Sequence, residues 1–172
     1  AYKYILSSKS ISRSFLNSVY ITFFGTIINL FFTFTMAYPL SKGYLMGKDW
    51  ILNAVIFCML FSGGMIPNYL LVKNLKLLDT YWALWLPGAI SPFNLFIIKN
   101  FFQGLPDELE ESAKIDGCTD IGVLIKIVLP LSMPVIATFT LFYAVGHWNA
   151  FFSSLMYIND SSKWPLQAIL RN

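Results

Sequence analysis

Four stretches of the chain contain no Asp, Glu, Lys or Arg: Ser14–Ser41, Trp50–Val72, Thr80–Ile98 and Ile127–Asn159. A helix needs about 20 apolar residues to cross roughly 30 Å of hydrocarbon, and each stretch is long enough. Lipid offers the backbone no hydrogen-bond partners, so a spanning segment must close its own bonds as a helix. A membrane barrel would need apolar residues at every second position, and the runs show no such alternation. Charged residues make up 12% of the chain, about half the share of a soluble domain, and the mean hydropathy is +0.61. The predicted class is therefore all-α: a polytopic transmembrane helical bundle with about four spans.

Turn chemistry sets the expected limits of the spans. The first is predicted over Asn17–Tyr38, ended by Pro39. The second runs over Trp50–Leu71, with Gly63-Gly64 and Pro67 breaking its outer third. The third covers Tyr81–Phe102, kinked near Pro87 and Pro92. The last starts near Leu131, holds Pro134 in its first turn and runs to about Trp148; the apolar Asn149–Asn159 then lies at the outer interface or lines a cavity. Lys and Arg do not set the orientation. Lys42, Lys48, Lys99, Lys114 and Lys126 fall on one side, against Lys3, Lys9, Arg13, Lys73, Lys76 and Lys163 on the other.

Between the third and fourth stretches lies a charged island, Leu105–Ile125, holding six of the nine acidic residues: Asp107, Glu108, Glu110, Glu111, Asp116 and Asp120. Pro106 suits the first turn of a helix. Asp107 and Glu110 have the spacing of a capping box, and carboxylates suit a helix N-terminus. Leu109 and Ala113 share a face at i, i+4. Asp116-Gly117 is a stop signal, with glycine free to turn left-handed. Thr119 can cap a second helix to Val128, closed by Pro130. Two short helices joined by a tight glycine turn are expected.

Other chemistries find little support. The basic residues are scattered over a net charge of +3, which gives a nucleic-acid surface no support. Cys58 and Cys118 form neither a disulfide framework nor a metal site. Gly43–Asp49 has one residue too few for a phosphate-binding loop, and an aspartate where a hydroxyl must reach magnesium. One histidine and no companion carboxylate leave no basis for an enzyme.

The run LPDELEESAKIDGCTDIGVLIKIVLPLSMPVIAT resembles the EAA loop of permease subunits in ATP-binding-cassette importers. Pro106, Glu108, Leu109, Glu111, Ala113, Asp116, Gly117, Ile127, Leu129, Pro130 and Pro134 match the motif, and Ser112 stands where it has a first alanine. GGMIPNYLLVKNLKLLDTYWALWLPGA and FYAVGHWNAFFSSLMYIND resemble the carbohydrate-uptake permeases, in particular the oligosaccharide and lipoprotein permease group. The resemblance implies a single permease domain over 1–172, with 105–128 as a cytoplasmic coupling loop. It further implies a piece of a six-span protein, spans two to five, in a bacterial inner membrane. Glu108, Leu109, Glu111, Ser112, Ala113, Asp116 and Gly117 would seat in a groove of an ATPase subunit. The implied partners are a second permease subunit, two ATP-binding subunits, an extracellular solute-binding protein and membrane lipid. ATP and Mg would bind the ATPase and not this chain.

Candidate substrate-pathway residues are Trp148, Asn149, Asn94 and Tyr69, since aromatic faces stack on sugars and Asn bonds hydroxyls. Two readings of His147-Trp148-Asn149 stand. It lines a sugar path, or Trp148 is an interfacial anchor and His147 bonds a neighbouring helix. Asn29, Asn53, Asn68 and Asn94 are expected to join helices. Two alternatives to a carbohydrate importer are open. One is an importer of peptide, amino acid or polyamine, which shares the EAA loop. The other is an ATPase-independent secondary carrier or channel, which calls for the intramembrane charges that these stretches lack.

Overall fold

The computed structural model describes residues 9–171; Lys3 of the orientation tally lies outside them. Every element among the described residues is helical. The described residues fall into two compact units, one built from residues 9–29, 63–89 and 141–171, the other from 30–62 and 90–140.

Helix α1 (Lys9–Ser41) supplies residues to both. Its buried stripe runs Ser14, Ser18, Ile21, Gly25, Asn29, Thr33, Ala37 and Leu40, at helical spacing. Those side chains are mostly small or polar, whereas Leu16, Phe23, Phe31 and Phe32 point outward. A water-soluble helix does the reverse. Small buried residues with apolar ones outside are what packing in lipid selects, because lipid is as apolar as leucine and only close approach favours association. Pro39 does not end α1 as expected. It sits in the last turn, where few intrahelical bonds remain to lose. The Lys42 N–H still donates to the Pro39 carbonyl at 3.1 Å.

By length and composition, Ser10–Ser41 alone among the described helices can cross a membrane. Two bent pairs would each pass as one span, Lys48–Leu60 with Met65–Asn74 and Asp120–Leu131 with Met133–Trp148. The predicted second span is thus α2 (Lys48–Leu60) and α3 (Met65–Asn74), parted at Gly63-Gly64, with Gly64 at φ 84°. The predicted third span, Tyr81–Phe102, is not one helix. Only Trp82–Trp85 (α4) and Pro92–Gln103 (α5) are helical. Pro87 lacks an N–H, and Pro92 disfavours helical backbone at Ser91. Ser91 instead caps α5, accepting from the Asn94 N–H. Lys42 stands just past the first uncharged stretch, yet is buried.

In the first unit, α1 supplies the hydrogen bonds that the broken segments lack. The Asn29 amide donates to the carbonyls of Gly88 and Ala89 at 2.6 and 3.0 Å. Its oxygen meets His147 Nε2 at 2.5 Å, and the imidazole lies where a Cβ on Gly25 would stand, 2.6 Å from Nε2. His147 therefore bonds a neighbouring helix, and Asn29 joins elements as expected, while Asn53 and Asn68 are exposed. Trp85 Nε1 donates to the Ile21 carbonyl. Asn17 donates to the carbonyls of Ser162 and Trp164. The segment after Trp148 folds as α10 (Phe151–Tyr157), whose Tyr157 joins Val72 and Ala83 in a buried cluster.

Replacing Asn29 by leucine leaves two carbonyls and an imidazole nitrogen unpaired in an apolar setting, a cost of about 1–3 kcal/mol. We expect Asn29→Leu to lower the thermal unfolding midpoint of the detergent-solubilised protein. Gly25→Ala displaces the same ring, so the double variant should lose less than the sum of the two; strict additivity would refute the shared knot.

Candidate functional site

The charged island folds as α6 (Asp107–Ile115), a turn at Asp116–Cys118, and α7 (Asp120–Val123) leading into a π-helical turn, Leu124–Val128. The stop between the helices is set by hydrogen bonds. The Gly117 N–H donates to the Lys114 carbonyl at 3.0 Å and the Cys118 N–H to the Ala113 carbonyl at 2.9 Å. That double bridge is the Schellman closure, and it needs a left-handed residue at its apex. Gly117 supplies it at φ 84°. Thr119 caps the second helix as expected, its Oγ1 accepting from the Gly122 N–H at 3.2 Å. Pro130 does not close that helix. The chain widens instead, with the Leu129 N–H reaching the Leu124 carbonyl, and continues through Leu129–Leu131 (α8). The wide turn makes room for a ring that clashes with the carbonyl four residues back. The chain then bends by 82° into α9 (Met133–Trp148).

The expected capping box at Asp107 is absent. Pro106 holds the cap position without a side-chain bond, and Asp107 is the first helical residue. Glu110 faces inward instead. Its carboxylate forms an ion pair with Lys42 at the end of α1, with side chains 9% and 8% exposed, and accepts from the Tyr38 hydroxyl at 3.4 Å. Tyr38 and Phe34 pack edge-on against Phe102 of α5. Removing one member of a buried pair costs about 3–5 kcal/mol, since the other charge is left without water or partner. A second, exposed set lies nearby. Asp120 accepts from Lys114 at 2.9 Å and from the Tyr44 hydroxyl at 3.3 Å, and Lys114 sits 4.9 Å from the centre of the Tyr44 ring. The bond to Asp120 raises the Lys114 ammonium above its ordinary pKa.

On this frame Glu108, Leu109, Glu111, Ser112, Asp116 and Gly117 are all exposed, on a stretch of eleven consecutive positions from Asp107 to Gly117 in which only Glu110 and Ala113 turn inward. Ala113 packs inside, so Leu109 and Ala113 do not share one exposed face. Ile115 and Ile121 add large apolar surface to the same helix pair, at 86% and 70% exposed. The helix pair is acidic and apolar together, suited to a concave basic partner with an apolar floor.

Three of the four substrate-pathway candidates, Tyr69, Trp148 and Asn149, lie in the first unit. Trp148 ends α9, and with the following Asn149 it lines one cleft of about 220 Å³ beside Thr22, Ala144 and Val145. The Asn149 amide is engaged with the Val145 carbonyl at 2.8 Å. Thr22 is a residue that the spacing arguments missed; its hydroxyl is buried without a partner. Tyr69 stacks on Tyr157 at 6.3 Å and 9°. Asn94 lies in the second unit, in the first turn of α5.

The family profile described as binding-protein-dependent transport system inner membrane component matches residues 10–172. The chain belongs to this family. Among its relatives is Protein LplC of Bacillus subtilis, 68% identical over 99% of the chain. The polygalacturonan/rhamnogalacturonan transport system permease protein YtcP of the same organism is 57% identical over 99% of the chain. A solved bacterial ABC transporter, involved in the import of the acidic polysaccharide alginate, superposes with a TM-score of 0.96 at 34% identity over 99% of the chain. The chain spans 58%, 60% and 61% of the length of these three proteins. The inner-membrane family and the inverted polarity of α1 agree.

If the Schellman turn sets the helix pair, Gly117→Ala should cost about 1–2 kcal/mol for a forced left-handed residue. Thr119→Ala should cost about 1 kcal/mol for a lost cap. Amide hydrogen exchange should speed up across residues 107–128 in both variants and stay unchanged in α1. Unaltered exchange in that segment would refute the assignment.

Proposed function

We propose that the protein is a membrane-spanning permease subunit of an ATP-driven importer for a carbohydrate, an oligosaccharide or glycoside. The observation that carries the proposal is the presentation of Glu108, Leu109, Glu111, Ser112, Asp116 and Gly117 on the exposed surface of a helix pair fixed by a left-handed glycine. A short, rigid, acidic and apolar projection beside apolar helices suits docking into a second protein and transmission of its movement. The carbohydrate assignment draws on the names of the relatives, a polygalacturonan/rhamnogalacturonan permease and an alginate importer.

In this scheme residues 105–128 face the cytoplasm and enter a groove on an ATPase subunit. Two such ATPases bind ATP and Mg and close on each other. The groove carries the helix pair with it, and the spans switch from inward-facing to outward-facing. A second permease subunit completes the path, and an extracellular binding protein delivers the sugar. Trp148, Asn149 and Thr22 form the stretch of this chain best suited to a pyranose face and its hydroxyls; Asn94 and Tyr69 are further contacts. The protein binds no nucleotide and catalyses no reaction itself.

The test is co-purification of the tagged full-length protein, expressed with its gene neighbours, followed by uptake in proteoliposomes. A second permease and an ATPase should remain bound. Gly117→Val should stay in the membrane and lose uptake, because a β-branched residue resists the left-handed turn. Glu111→Lys should weaken ATPase binding more at low salt than at high salt, since exposed charges are screened. Purification without an ATPase, or full uptake by Gly117→Val, would overturn the reading.

A further inference from the structure

Helix α6 has very little holding it. Of its nine residues only Glu110 and Ala113 are buried. A methyl group fills space but gives no direction, so the grip on α6 is largely that of Glu110. That grip reaches far along the chain, to Lys42 and Tyr38 at the end of α1, across sequence separations of 68 and 72 residues. All three residues belong to the same compact unit. The other side-chain tie to the Ser41–Asp49 hinge from this region is at exposed Tyr44, whose hydroxyl bonds Asp120 and whose ring faces the Lys114 ammonium. Water and salt weaken that tie, but they hardly reach a pair that is over nine-tenths buried.

A charge pair also does what an apolar contact does not. Apolar surfaces tolerate sliding and rotation, because burial is non-directional. A buried carboxylate has one orientation in which it meets its ammonium, and the alternative leaves both charges stranded. The pair therefore fixes the rotation of α6 about its own axis, and with it the direction in which Glu108, Glu111 and Ser112 face. Tyr38 extends the connection into the helix body. Its ring packs on Phe102, and its main-chain carbonyl takes the Ser41 hydroxyl at 2.6 Å.

We propose that Glu110 is a positioning residue for coupling: its buried ion pair with Lys42, backed by Tyr38, makes the α6 projection and the end of α1 move as one body. The proposal rests on the importer reading above. The ATPase would push on the exposed face of α6, and Lys42–Glu110 would pass that push into α1. The pair stays closed through the cycle as a fixed joint.

The test uses the whole transporter, with companion permease, ATPase and binding protein, in proteoliposomes. ATP hydrolysis and uptake of tritiated oligogalacturonides are measured on the same preparation. Glu110→Gln and Lys42→Met should keep the ATPase bound and hydrolysing, while uptake per ATP falls about tenfold, within the range by which residues between two sites alter coupling. Charge reversal, Lys42→Glu with Glu110→Lys, should restore most of the ratio, and Lys42→Arg should keep it. If the single variants fail to accumulate, the apolar double Lys42→Met/Glu110→Leu strands no charge and should fold; it should still show the lowered ratio. An unchanged ratio in any of the charge-removing variants overturns the proposal. So does a parallel loss of hydrolysis and uptake, or reversal without rescue. An unsubstituted transporter that retains no ATPase overturns the importer reading itself, and that failure is visible before any variant is made.

Discussion

Everything in this chain depends on how backbone hydrogen bonds are satisfied where water is absent. Helix α1 solves the problem for itself, then solves it for its neighbours. Its stripe of small and polar residues brings other segments close, and Asn17, Ser18 and Asn29 complete bonds that broken helices cannot. Gly25 is part of the same logic, since its missing side chain is the space that the His147 ring occupies. Most of the large aromatics of α1 are left to the outside, with Phe34 and Tyr38 turned inward. Non-helical backbone at membrane depth is tolerated only against such a provider.

The charged island applies the opposite rule. In water the backbone is satisfied for nothing, so α6 and α7 can be short and their shape comes from caps and one left-handed glycine. What needs special provision there is attachment. A nine-residue helix buries too little to be held by the hydrophobic effect, and a single internal ion pair orients it. That is an uncommon use of a buried charge pair, whose net contribution to stability is often near zero but whose directionality is high.

How much of this could be read from residues alone varied with the range of the interaction. The glycine turn at 117, the cap at Thr119, the break at Gly63-Gly64 and the first turn at Pro134 rest on residues within four positions of one another, and all are present. The uncharged stretches pointed to apolar helical segments but not to their breaks: of the four expected spans, one is a single helix long enough to cross and two more are bent pairs among the described residues. The Tyr81–Phe102 segment was misjudged: proline and glycine were visible, but kink and outright break differ by whether another helix takes up the freed carbonyls, and Asn29 lies 59 residues from Gly88. Glu110 shows the same failure. Its three-residue spacing from Asp107 fitted a local capping box, and nothing nearby in the chain advertised Lys42. Ala113 fitted a docking surface by size and turned inward because the Lys42–Glu110 contact set the rotation of its helix.

The Pro87–Ser91 break also bears on how the protein enters the membrane. During synthesis each apolar segment is offered to lipid in turn. A regular helix can leave the insertion machinery alone, whereas Thr80–Ile98 carries carbonyls at Gly88 and Ala89 that its own backbone leaves free. Asn29, already made and already in the bilayer, is the group that receives them. The later segment thus depends for those two bonds on a residue synthesised before it.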